Sequence, residues 1–329
     1  MFKKDPILIS PYIGYQSATR LYLRGRVLED EGIEDEADDR FIRIILNNFR
    51  RFETDEIADA KLQITYLGKT YQVTTDEEGF YNLDLELPYE TPATPILMHN
   101  YKVELLEAPG YPDQEVSAIG LVMTLMPNAS FGIISDIDDT VLQTHMTSFL
   151  KLKMLRQTFT SNAHGRSAME GIVDLYQQLA VGADGKRENP FFYLSDSPWN
   201  LYDTITSFMD REGLPRGPLF LRDFGFNRGE RRNKFKEHKR LKINRILTAF
   251  PDLPFVLLGD TASHDADYYL EAMKNFPNRI KAIYIRQTKL NKNARRIREL
   301  IATAKNTDIV IVEKSAEILA DAKSKGLIG

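Results

Sequence analysis

The hydrophobic period of the chain changes once, near Pro127, and this constrains the fold more than any other feature. From Pro6 to about Leu125 the apolar residues mostly alternate in short runs: Leu21 to Leu28, Lys61 to Tyr66, Tyr71 to Thr74, Phe80 to Leu87, Lys102 to Leu106 and Ile119 to Leu125. Period-two runs separated by turn residues predict antiparallel strands and a β-sandwich-like domain. The turn Asp76-Glu77-Glu78-Gly79 between two of the runs is a hairpin signal. Between Asp38 and Phe52, the spacing of Phe41, Ile42, Ile44, Ile45, Phe49 and Phe52 fits an inserted helix instead.

After Pro127, apolar runs alternate with amphipathic stretches: Phe131 to Ser135, Phe191 to Ser195, Pro218 to Arg222, Phe255 to Gly259 and Lys281 to Arg286. Strands alternating with helices through right-handed crossovers predict an α/β fold with a mostly parallel, doubly wound sheet. Ile309 to Val312 adds an edge strand. At 329 residues the chain exceeds the ~250 at which single cores stop growing. Two domains are expected: 1–127, a β-rich accessory domain with the inserted helix near 38–52, and 128–329, the α/β domain.

Composition removes several classes of chemistry. The chain has no cysteine, which excludes disulfides, thiolate catalysis and cysteine-based zinc sites and is compatible with a reducing compartment. Lysine plus arginine number 43 against 47 acidic residues, a net charge of -4. No global basic field advertises nucleic acid, which is disfavoured as a partner. Met1 to Pro11 lacks the apolar core of a signal peptide, and no apolar run approaches the ~20 residues of a membrane span. A cytoplasmic location is expected.

In open α/β sheets ligands bind beyond the carboxyl ends of the strands. The first such end runs into Asp136-Ile137-Asp138-Asp139-Thr140. Three carboxylates in four residues repel one another and cost desolvation, and a cation compensates for both. The second end carries Ser195-Asp196-Ser197-Pro198-Trp199-Asn200, where Ser197 is placed to cap a helix starting at Pro198, with amides aimed at an anion. The fourth ends in Gly259-Asp260, with Asp265 five positions on. A basic segment containing Lys239 precedes that strand. Oxygen ligands without a histidine cluster select a hard cation, Mg2+ beside phosphate.

This pattern resembles the haloacid dehalogenase superfamily of aspartate-nucleophile phosphatases. Asp136, Asp138 and Thr140 match its first motif, Ser195 its second, and Gly259, Asp260 and Asp265 its fourth. The third-motif lysine falls on Lys239, with Lys242 and Lys236 competing. The phrases Asp136 to Thr140, Ser197-Pro198-Trp199-Asn200-Leu201-Tyr202 and Leu258-Gly259-Asp260 are similar to the actin-patch-protein-type phosphatidate phosphatase catalytic domain family over roughly residues 125 to 290. A leading β-rich domain with Gly25-Arg26-Val27 is similar to bacterial members.

The resemblance implies that 128–329 is a phosphatase domain and Asp136 the nucleophile of an aspartyl-phosphate mechanism. Asp138 would serve as general acid and base and Lys239 would screen charge. Thr140, Ser195, Asp196 and Ser197 would contact substrate. Asp136, Asp138, Asp260 and Asp265 would hold Mg2+, Asp265 directly or through water. The implied substrate is phosphatidate or another bulky phosphate monoester, since the intervals from Asp136 to Pro190 and from Asp196 to Lys239 do not clearly hold a full cap domain. Alternatives are a phosphatase of a soluble metabolite, a protein or a polynucleotide end, and a non-catalytic scaffold.

Other features read more plainly. Trp199 fits packing better than substrate contact. The basic residues from Arg228 to Arg240, interspersed with Glu230 and Glu237, fit a solvated helix face, with peripheral contact to an anionic lipid surface as the alternative. The Glu29 to Asp39 run reads as a solvated loop rather than a calcium site.

Overall fold

The computed structural model describes residues 5–30, 56–86, 97–137, 163–186, 188–222, 231–261, 263–287, 296–297, 299 and 309–329. The helix expected near 38–52 lies outside them. The chain divides into two compact units, Met1–Pro127 together with Asn200–Phe208, and Asn128–Trp199 together with Met209–Gly329.

Among the described residues the first unit has eight strands: β1 (Ile7–Pro11), β2 (Gly14–Gln16), β3 (Arg20–Glu29), β4 (Lys61–Tyr66), β5 (Lys69–Thr74), β6 (Phe80–Glu86), β7 (Met98–Glu107) and β8 (Ser117–Thr124). Alternation works as expected in β4, where Leu62, Ile64 and Tyr66 are buried and the residues between them are not. These side chains join Leu21, Leu23, Val27, Tyr81, Tyr101, Val103 and Val122 in one buried cluster. The pairings are antiparallel, as expected, except that of β2 with β8, and hydrogen bonds link the eight described strands continuously. The order is β1-β3-β2-β8-β7-β4-β5, with β6 also on β3. The link is the short β2, which pairs antiparallel with β3 and parallel with β8.

The hairpin expectation is half right. The turn forms, with the Gly79 amide donating to the Asp76 carbonyl at 2.9 Å and Gly79 at φ +73°, a conformation that favours glycine. The flanking strands do not pair with each other, however: β5 pairs with β4 and β6 with β3. Thr75 explains the departure, since its hydroxyl accepts from the Ala60 amide at 2.8 Å and donates to the Ile57 carbonyl at 2.7 Å, which ties the end of β5 to the approach to β4.

A charged hub sits inside this unit. Arg26 is buried beside the Phe80 ring and donates to the Glu78 carbonyl (2.8 Å), Asn200 Oδ1 (3.0 Å) and Glu56 Oε1 (2.7 Å). The Ile13 amide donates to the Tyr202 hydroxyl at 2.8 Å. These bonds account for the grouping of Asn200–Phe208 with the first unit.

Among its described residues the second unit has six parallel strands: β9 (Gly132–Asp136), β10 (Phe191–Pro198), β11 (Leu219–Arg222), β12 (Phe255–Asp260), β13 (Ile280–Arg286) and β14 (Ile309–Val312). The helices among the described residues are α1 (Ala163–Val181), α2 (Tyr202–Glu212), α3 (Arg231–Ala249), α4 (Asp265–Asn275) and α5 (Ser315–Ser324), of which α2 is divided between the two units after Phe208. Every residue of β9 and β12 is buried, as expected of parallel strands covered on both faces. The strand order is β11-β10-β9-β12-β13-β14, all parallel, with β14 at the edge. From β9 the chain steps outward through β10 to β11, then returns to the other side of β9 as β12.

Candidate active site

The direction in which the chain adds strands reverses between β9 and β12, and ligands of open α/β sheets bind beyond the carboxyl ends at such a point. Register places the acids there: Ser135 pairs with Leu258, so Asp136 and Asp260 lie at the ends of adjacent strands. Leu194 pairs with Asp136, which puts Ser195 one residue beyond, on β10. Asp265 opens α4, where a carboxylate is favoured by the helix dipole.

Asp136, Asp260 and Asp265 are all buried, and one carboxylate oxygen of each lies within 4.8 Å of the others. Lys239 comes from α3 on its buried face, four residues before Ile243 and seven before Ile246. Its Nζ donates to Asp136 Oδ1 at 2.9 Å and Asp265 Oδ1 at 3.0 Å, with Asp196 Oδ2 at 3.7 Å. The sequence left three lysines competing, and the geometry favours Lys239. Lys242 instead stands 5.5 Å from the centre of the Phe220 ring, and the side chain of Lys236 lies outside the described residues.

The loop between Asp260 and Asp265 is closed by its own polar groups. The Ser263 amide donates to Asp260 Oδ1 at 2.9 Å, the Asp260 amide to Asp265 Oδ2 at 3.3 Å and the Asp265 amide to Ser263 Oγ at 3.3 Å. Gly259 is required by packing, since a Cβ there would stand 2.7 Å from Asp265 Cβ and 2.8 Å from the Tyr269 ring. The Tyr269 hydroxyl donates to the Leu258 carbonyl at 2.8 Å, and its pKa is held well above the ordinary value by burial and then by the Asp265 and Asp136 charges.

On β10, Ser195 is fully buried and its Oγ accepts from the Ser197 amide at 3.0 Å. The helix start expected at Pro198 is not found. Instead β10 runs through Pro198, a 3-10 turn follows at Trp199–Leu201, and α2 begins at Tyr202. The reason is that Pro198 pairs with Arg222 after a bulge, which keeps this stretch extended. Ser197 therefore caps no helix at Pro198. Trp199 is buried, in keeping with packing. Asp138, Asp139 and Thr140 lie outside the described residues.

Three neighbours carry no sequence signature. The Ser135 and Tyr176 hydroxyls are 2.6 Å apart, and Ser135 Oγ also donates to the Asp136 carbonyl at 3.0 Å. Arg286, at the end of β13 and paired in register with Asp260, is buried and donates to Ser315 Oγ at 2.8 Å. A serine inside an apolar strand and an aromatic on a helix read as core. Only the position of Arg286 at a strand end could have marked it.

Three buried carboxyl groups thus converge, two of them on a single lysine. Buried oxygen donors fit a hard divalent cation such as Mg2+. The same arrangement presents a carboxylate, Asp136, held by a lysine.

Comparison with known proteins finds relatives of part of the chain. The chain is 30% identical over 206 residues to phosphatidate phosphatase APP1 of Saccharomyces cerevisiae, covering 62% of this chain and 30% of that protein. It is 27% identical over 222 residues to an uncharacterized protein, C29B5.04c, of Schizosaccharomyces pombe, covering 66% of this chain and 34% of that one. The chain thus spans about a third of the length of the curated relatives it matches. Among solved structures, a carbohydrate acetylesterase from Xanthomonas citri aligns over 92% of this chain and 75% of its own, at 10% identity and a TM-score of 0.29, too low to carry an argument. Residues 131–287, the stretch that contains Asp136, Ser195, Lys239, Asp260 and Asp265, match the family model of the phosphatidate phosphatase APP1 catalytic domain.

Proposed function

We propose that the chain is a Mg2+-dependent phosphomonoesterase of the haloacid dehalogenase type, acting in the cytoplasm through an aspartyl-phosphate intermediate, with phosphatidate as its substrate. The observation that carries the reading is the Lys239 ammonium bridging Asp136 and Asp265 where three buried carboxylates converge. The strand order supports a doubly wound sheet with the site at its switch point. The phosphatidate assignment rests on the family matched by residues 131–287 and on the relative's name.

In this mechanism Asp136 attacks phosphorus in line, forming an acyl phosphate as the bond to the alcohol oxygen breaks. Lys239 fixes the attacking carboxylate and offsets its repulsion with the phosphate. Asp138, assigned by motif spacing, gives the departing alkoxide its proton and then takes one from the water that hydrolyses the acyl phosphate. Asp136, Asp138, Asp260 and Asp265 would hold Mg2+, which when bound supplies further neutralisation of developing charge. Ser195, Ser197 and Thr140 would contact the phosphoryl oxygens.

Phosphate release from p-nitrophenyl phosphate and from phosphatidate in mixed micelles, with and without Mg2+, tests the proposal, with Asp136→Asn as control. Turnover of both, abolished by the substitution or by removing the metal, is expected. Turnover of the small ester alone removes the lipid substrate. Failure on both, with folded protein, overturns the reading in favour of a scaffold.

A further inference from the structure

Burial falls off steeply along one line through the site. The side chains of Asp136 and Asp265 are 1% exposed and that of Lys239 4%, whereas Asp196, whose Oδ2 is 3.7 Å from the Lys239 ammonium, is 46% exposed. Asp196 is also the one exposed residue of β10, a strand otherwise buried throughout. The half-buried Tyr268 of α4 belongs to the same rim, its phenol pKa raised first by burial and then by the Asp196 charge. Asp196 is thus the most exposed of the carboxylates around Lys239, and the alcohol of a phosphate held at Lys239 would pass it on the way to solvent.

We propose that Asp196 is a specificity-determining charge filter, restricting substrates to phosphate monoesters whose alcohol carries no negative charge and favouring a cationic alcohol. The inference rests on the phosphomonoesterase reading and deepens it by naming the substrate class. A fixed carboxylate near a protein surface disfavours an anionic group a few ångströms away, and favours a cationic one, by about tenfold in combination. Its charge is screened by salt. The diacylglycerol released from phosphatidate is neutral and passes this filter, whereas an alcohol bearing a carboxylate does not.

The test compares kcat/KM for choline phosphate with that for phosphoglycolate, in the full chain and in Asp196→Asn and Asp196→Ser, at low and high ionic strength. The native protein should prefer choline phosphate. Both variants should lower that preference about tenfold at low salt and by much less at high salt, while Asp196→Glu should retain it. An unchanged preference, or a loss indifferent to salt, overturns the filter. Hydrolysis of p-nitrophenyl phosphate by the native protein separates the two failures. If that ester is not turned over, the phosphomonoesterase reading fails and the filter falls with it; if it is turned over and the preference is unchanged in the variants, the filter alone fails.

Discussion

Lys239 is held between two carboxylates that are each almost fully buried. Removing its charge while keeping its length, as in Lys239→Met, leaves Asp136 and Asp265 buried without it, and breaking a buried pair in this way costs about 3–5 kcal/mol. We expect a fall in melting temperature of several degrees in the absence of divalent ions, partial recovery with Mg2+, and loss of turnover. Scanning fluorimetry with and without Mg2+ checks this, and an unchanged melting temperature would contradict it. At this scale the sequence was informative where an acid followed an apolar strand, as at Asp136 and Asp260. It was silent on Ser135, Tyr176 and Tyr269, whose hydroxyls support the site from core positions. A hydroxyl in a core pattern leaves no periodic trace, because its ring or methylene still packs as an apolar group.

Elements were legible where their own periodicity set them, and misread where a distant partner did. The parallel strands after Pro127 stand where apolar runs predicted them. Pro198 was read as a helix start because local capping chemistry favours it, yet pairing with Arg222 keeps it extended. The turn at Gly79 was read correctly, but the partners of its two strands were set by β3 and β4. Arg26 belongs to the same class of long-range determinants, since its partners Glu56, Glu78 and Asn200 come from separate parts of the chain. Arg26→Met should destabilise the protein by about 1–3 kcal/mol by removing three hydrogen bonds made by a buried guanidinium to part-buried acceptors, with Arg26→Lys restoring only part. Urea unfolding measures it, and a shift below about 0.5 kcal/mol, the range of ordinary surface changes, would count against the hub.

The whole molecule carries an unusual load of buried phenols. Tyr81, Tyr101, Tyr176, Tyr193, Tyr202 and Tyr269 have their pKa values raised by burial, and that of Tyr66 is pushed up to about 12 by the same cause. Because the folded values lie above the unfolded value near 10, this stabilisation is fully present below about pH 10 and is lost as pH rises toward the folded values. Each such group removes about 1.4 kcal/mol per pH unit, so seven together exhaust a typical stability of about 5–15 kcal/mol within one to two units. Phenolate absorbance and circular dichroism should therefore change together in one cooperative alkaline step. Gradual phenolate formation near pH 10 with the fold retained would contradict the burial.

The two hydrophobic textures foretold an antiparallel and a parallel sheet. They could not foretell that Asn200–Phe208 would group with the first unit, because that depends on Arg26 and Ile13 finding Asn200 and Tyr202 far along the chain.

The central claim is that Asp136 becomes phosphorylated during turnover. Rapid acid quenching during turnover, followed by reduction with tritiated borohydride and peptide mapping, tests it most directly, because hydride displaces the phosphate and reduces the acyl phosphate to tritium-labelled homoserine. The account predicts label on the peptide containing Asp136, homoserine at that position, and neither in Asp136→Asn. Turnover without label at Asp136, or label on another residue, would contradict it.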